Sequence, residues 1–270
     1  MDEKQNQEAP KMSSVESEQE EFEMNHTDKI VGVFSEPGKT FAKMAKFPLK
    51  TADWIIPVCT LIIITILSII VLFNNPQIKL QAKQESEKRI QKMVETGTIR
   101  QDSAEQQIEA ANKFMDSPLF YIVTSIQTII VSFVMFFIIS GVFLLFVKLI
   151  LKGEGTYKDA MIAYGLSYYI LIIQAIVTVI IAFLMGKILR STSVAEFVNV
   201  DKTSIVHWIL GKIDILSIWF YIVVGIGFAK MFKSNNTKKY IFLIIGLWLG
   251  FGLLFFAIAK AVPFLSFLAG

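Results

Sequence analysis

The chain has 270 residues, is 54% hydrophobic and has a mean hydropathy of +0.56, more apolar than a soluble domain of this size. A net charge of +3 leaves no basic bulk for binding nucleic acid. One cysteine, Cys59, and two histidines exclude an internal disulfide and a Cys/His zinc site, so the composition predicts an all-α, polytopic helical membrane protein.

Residues 1–28 hold nine acidic residues against Lys4 and Lys11, with almost nothing apolar. This predicts a disordered acidic tail, with no cleavable signal peptide because no apolar core follows a basic start. From Lys29 to Lys50, the residues Ile30, Phe34, Phe41, Met44 and Ala45 share a helical face, with Lys39, Lys43 and Lys46 around it. This reads as a basic amphipathic helix lying in the membrane interface, started or kinked by Pro37. Gly32, Gly38, Lys39 and Thr40 imitate a phosphate-binding loop. The glycine spacing is wrong and no buried strand precedes them, so nucleotide binding is not expected.

Five apolar runs follow, at about 54–73, 119–147, 161–186, 213–232 and 240–259. Each reaches the roughly 20 residues that a span needs. Pro57 sits in the first turn of the first run. Between the first two runs, the stretch 77–116 carries two helical stripes. The first is Ile90, Met93 and Val94, and the second is Ala104, Ile108, Ala111 and Met115. They predict an extramembrane helical hairpin with its turn near Thr96–Asp102, and Ser103 with Gln106 resembles a capping box. In the stretch 187–211, two short helices are expected at Thr192–Val200 and Ser204–Leu210. His207 and Trp208 read as interfacial packing.

Lysines set the orientation. Lys39, Lys43, Lys46 and Lys50 precede the first span. Lys148, Lys152 and Lys158 separate the second and third, and Lys230, Lys233, Lys238 and Lys239 separate the fourth and fifth. All three groups fall on one side if the amino terminus is cytoplasmic, and the carboxyl terminus is then outside. The connection 74–117 carries seven basic and seven acidic residues, and long loops weigh little under this rule.

Asp214 opens the fourth run and Lys260 closes the fifth, both near the outer interface in this topology. Two readings stand: Asp214 pairs with Lys260, or with Lys212, Lys187 or Arg190; or both groups reach the headgroups by snorkelling. Gln127, Gln174 and Tyr168 are intramembrane polar groups suited to interhelical hydrogen bonds, and Gly225, Gly227, Gly246 and Gly250 suit close helix packing. No carboxylate pair, paired-histidine metal motif, nucleophile elbow or completed dinucleotide-binding glycine pattern is present, so neither catalysis nor a cofactor is implied.

Three segments carry a family resemblance. They are GVFSEPGKTFAKMAKFP followed by DWIIP (Gly32–Pro57), GEGTYKDAMIAYGLSYY (Gly153–Tyr169) and KIDILSIWFYIVVGIGFAKMFK (Lys212–Lys233). Together they resemble the Yip-one domain family in its prokaryotic form, over about residues 29–262. The resemblance implies a non-enzymatic integral membrane protein with a structural, scaffolding or membrane-organising role. A transporter or channel accessory moving a small solute is the alternative. Its partners would be the lipid bilayer and copies of itself or other membrane proteins, with a small GTPase only in a eukaryotic setting. A prokaryotic setting would place it in the cytoplasmic membrane.

Overall fold

The computed structural model describes residues 23–261. Most of the acidic stretch 1–28 lies outside them. The described chain is helical, with no strand among the described residues. Helix α1 (His26–Ser35) starts at Asn25, whose side chain accepts from the Asp28 N–H at 2.8 Å. Glu36 leaves the helical region, and Pro37 opens α2 (Pro37–Met44) as its first residue. The expected single amphipathic helix is therefore two short helices folded against each other. The fold is tight enough that a methyl group on Gly32 would collide with Thr40 Oγ1.

Helix α3 (Ala52–Phe73) tolerates Pro57 in its second turn. Asn75 caps α4 (Pro76–Glu95) at the Gln77 N–H, and Gly97, at φ +70°, makes the turn into α5 (Gln101–Asp116). The expected hairpin is there, but α5 starts at Gln101 without a side-chain cap, so Ser103 and Gln106 form no capping box. Lys79 and Lys83 both reach Asp116, at 2.8 and 2.7 Å. Helix α6 (Pro118–Leu151) has 34 residues, roughly 50 Å at 1.5 Å per residue.

A complete capping box, Thr156 with Asp159, starts α7 (Tyr157–Leu166), and the chain breaks at Ser167 before α8 (Tyr168–Met185). Ser167 Oγ donates to the Ala163 carbonyl at 2.8 Å, a back-bond of the kind that bends helices. The stretch after α8 holds one 3-10 turn, Val194–Glu196, and α9 (Ile205–Lys212); α10 (Ile215–Met231) and α11 (Thr237–Ala261) complete the chain.

Four helical stretches are long and apolar enough to cross a membrane: α3, α6, α7 with α8, and α11. The fifth qualifies only as the pair α9 and α10, which meet at 62°. The bend falls between the short helix expected at Ser204–Leu210 and the run expected at 213–232, which α9 and α10 reproduce.

The core lies around α7, which packs on α6, α10 and α3, with α2 lying against α10. Trp54 stacks on Phe136 at 5.2 Å and Phe136 on Tyr164 at 5.6 Å, while Phe143 meets Phe228 edge-on at 5.9 Å. Phe41 and Val33 are fully buried, so the apolar face of α1 and α2 rests on protein. Such aromatic contacts hold helices together in lipid, where burial from water gives little net gain.

Gly225 and Gly227 are points of close approach. A Cβ on Gly225 would lie 2.6 Å from the Ile241 Cα on α11, and one on Gly227 would lie 3.0 Å from the Phe41 ring on α2. Gly246 and Gly250 have nothing within 4 Å of such a Cβ, which corrects the expected packing face on α11. That face of α11 is open, whereas Trp248 and Gly252 on its other side meet Tyr221 and Trp208. Gly225→Ala is expected to destabilise the protein by about 1–3 kcal/mol, because backbone must move. Gly246→Ala should not lower stability, because the space is open and alanine is the better helix former. Equal unfolding midpoints for the two variants in mixed micelles would contradict the packing.

Candidate functional site

Three charged side chains are buried among the described residues: Lys29, Asp53 and Asp214. They form two polar centres. In the first, Lys29 Nζ on α1 donates to Asp53 Oδ1 in the first turn of α3 at 2.7 Å, with the two side chains 6% and 4% exposed. Lys29 shares the buried face of α1 with Gly32 and Val33, which aims the ammonium into the bundle. Asp53 sits where a helix start favours a carboxylate, and its second oxygen accepts the Lys50 N–H at 3.4 Å. One turn earlier on α1, His26 Nε2 lies 2.6 Å from the Tyr169 hydroxyl of α8. Burial pushes the His26 imidazole below its ordinary value, more strongly than the Asp53 carboxylate pulls it up. This centre fastens α1 to α3 and α8.

Sequence reasoning missed the pair. Lys29 entered only as the start of the stretch Lys29–Lys50, and Asp53 only within the DWIIP motif. The available signal was the spacing of Lys29 from Val33, which puts a charge one turn from a core position.

The second centre is Asp214, 2% exposed. It is the amino-terminal cap of α10, and Oδ1 accepts from the Leu216 N–H at 3.0 Å and the Ser217 N–H at 3.3 Å. Thr192 Oγ1 donates to Oδ1 at 2.9 Å, and Gln174 Nε2 donates to Oδ2 at 2.6 Å. Gln174 also reaches Ser217 Oγ at 2.9 Å. One carboxylate thus ties together α8, the stretch after it and α10 at the break between α9 and α10. It receives no ion pair from Lys260, Lys212, Lys187 or Arg190 among the described residues, so the expected pair with Lys260 is not formed.

The reason is depth. Gln174 stands roughly 16 Å along α8 from its end at Met185, so Asp214 is well inside the bundle instead of at its outer rim. Lys260 lies near the far end of α11, over the Phe256 ring at 6.0 Å. There it acts with Thr203 and His207 on Asp201, whose carboxyl the Thr203 hydrogen bonds hold below its usual range. Lys212 instead lies over the Trp208 and Trp248 rings at 5.4 and 5.3 Å.

Of the other intramembrane polar groups, Tyr168 is buried edge-on to Phe136 and Tyr164. Gln127 faces outward from α6 and has no hydrogen-bond partner among the described residues. No group of three or more His, Cys, Asp or Glu side chains able to hold a metal occurs among them either.

The three lysine groups meet at one end of the bundle. Lys158 Nζ donates to the Leu49 carbonyl, and Gly153 packs against Phe232 and Tyr240. The link between α6 and α7 therefore touches both the start of the first span and the turn between α10 and α11.

Apolar spans joined by internally satisfied polar centres define a multi-pass helical membrane protein. The family model described as Yip1 domain matches residues 31–259. The chain belongs to the Yip1 domain family. No curated protein and no solved structure matches it.

Proposed function

We propose that the chain is a non-catalytic scaffold of the membrane it spans, with its lysine-rich end and amino terminus in the cytoplasm. The observation that supports this reading is the use made of the buried charges. Lys29, Asp53 and Asp214 all have partners inside the chain and bind one helix to another. A buried charge so engaged is worth having as a fastening, since a lone one would be costly. The gathering of lysines at one end of the bundle favours the orientation, because basic residues in short loops remain on the cytoplasmic side.

A second reading, passage of a small solute, draws on the 62° break at Asp214. Broken helices at depth are where transporters hold substrates. Proteoliposomes separate the two. The scaffold reading expects vesicles that retain ions and small solutes as well as protein-free ones, and whose shape in cryo-electron micrographs changes with protein density. A leak abolished by Gln174→Leu would overturn it in favour of transport.

A further inference from the structure

Helix α6 carries polar groups that its own chain leaves unused. In α3, Thr60, Thr65 and Ser68 each donate to the carbonyl four residues back, at 2.8, 2.8 and 2.6 Å. That is how hydroxyls are normally satisfied in an apolar helix. On α6, none of Thr124, Ser125, Thr128, Ser132 and Ser140 makes such a bond, and the Gln127 amide makes none at all, among the described residues. Gln127 lies roughly 10 Å along the helix from Phe120, whose ring meets Phe73 at the end of α3 at 4.5 Å. It therefore sits inside the apolar length, and its side chain is too short to snorkel as lysine and arginine do. An unpaired amide in hydrocarbon is unfavourable.

The neighbours of Gln127 form a seam. Thr124, Gln127, Val131, Val134 and Ile138 follow alternating steps of three and four, which is the repeat of a left-handed helix pair. Gln127, Val131, Val134 and Ile138 are exposed. An amide at such a seam position is the usual device for setting register. The amide is also self-complementary. It has both a donor and an acceptor. Two copies inserted the same way and related by a twofold axis along the membrane normal bring α6 beside α6 in parallel, with both Gln127 amides at one depth.

We propose that the seam on α6 is the contact for a second copy of this chain, with Gln127 hydrogen-bonded to its own counterpart across the twofold axis. This rests on the membrane assignment and is independent of the scaffold reading, so the liposome experiment above can fail without affecting it.

The full chain, in a Cys59→Ala background, is reconstituted in lipid bilayers and oxidised with single cysteines placed on and off the seam. Val131→Cys and Val134→Cys should give a disulfide-linked dimer, and Ile129→Cys, on the opposite face, should not. Adding Gln127→Leu should lower the crosslinked fraction about tenfold at limiting protein density, whereas Gln127→Asn should keep it. Because Gln127 has no partner within its own chain, the unfolding midpoint read at a protein density too low for pairing should not move with either change, which separates lost pairing from lost folding. Single-step photobleaching of the labelled wild-type chain, equal crosslinking at positions 129 and 131, or a Gln127→Leu dimer as abundant as the wild type would each overturn the proposal. A dimer that forms only with a different membrane protein present would do the same.

Discussion

Lys29→Met is expected to destabilise the protein by about 3–5 kcal/mol, the usual result of removing one partner from a buried ion pair. Asp53 is 3% exposed and has otherwise only a long contact from the Lys50 N–H. Without the ammonium it keeps a buried charge that nothing balances. Asp53→Leu alone should cost a similar amount by stranding Lys29. The double variant Lys29→Met with Asp53→Leu should recover most of the loss, because an apolar pair of similar volume removes both desolvation penalties. Equilibrium unfolding in mixed micelles provides the cycle, and the near-additivity expected of independent sites would show that the two groups do not form a pair in solution. Limited proteolysis offers a second readout. The pair is a principal tie of α1 to α3, so each single variant should be cut faster between Ser35 and Leu49 while the double variant should not.

Asp214→Leu is expected to cost roughly 3 kcal/mol, the sum of a lost helix cap and a stranded Gln174 amide. Asp214→Asn should be much milder. Its carbonyl oxygen can still accept the Leu216 and Ser217 N–H groups, and the Gln174 amide can turn to present oxygen to the new NH2 group. A large loss for Asn would mean that the charge itself, and not its hydrogen bonds, is what the site needs. Combining Asp214→Asn with Lys260→Gln should give additive losses to within about 0.5 kcal/mol. A coupling well above that would restore the ion pair expected from sequence.

These two centres also mark how far the sequence could be read. The apolar runs were legible because each needs only its own composition and length to be favourable in lipid. The hairpin at 77–116 was legible from its stripes and its glycine turn. The small residues were half legible. A glycine pattern shows where a helix could approach another, and whether it does depends on which face the neighbour takes. Gly225 and Gly227 meet Ile241 and Phe41, while Gly246 and Gly250 meet nothing within 4 Å. The boundary before Asp214 was legible, between the short helix expected at Ser204–Leu210 and the run from 213. What was not legible is that the Asp214 carboxylate caps α10 and is buried there.

By itself the sequence determined the class of protein, the approximate spans, the lysine-rich ends and the family resemblance. Each of these follows from local composition, which acts over one helix length. Tertiary structure alone decided the partners of the charges. It placed Lys29 on Asp53, and it gave Asp214 to Gln174 and Thr192 instead of Lys260. The physical reason is that a buried charge is satisfied by whatever the packing of helices brings within about 3 Å, and residues far apart in the chain reach that distance only once the helices have packed.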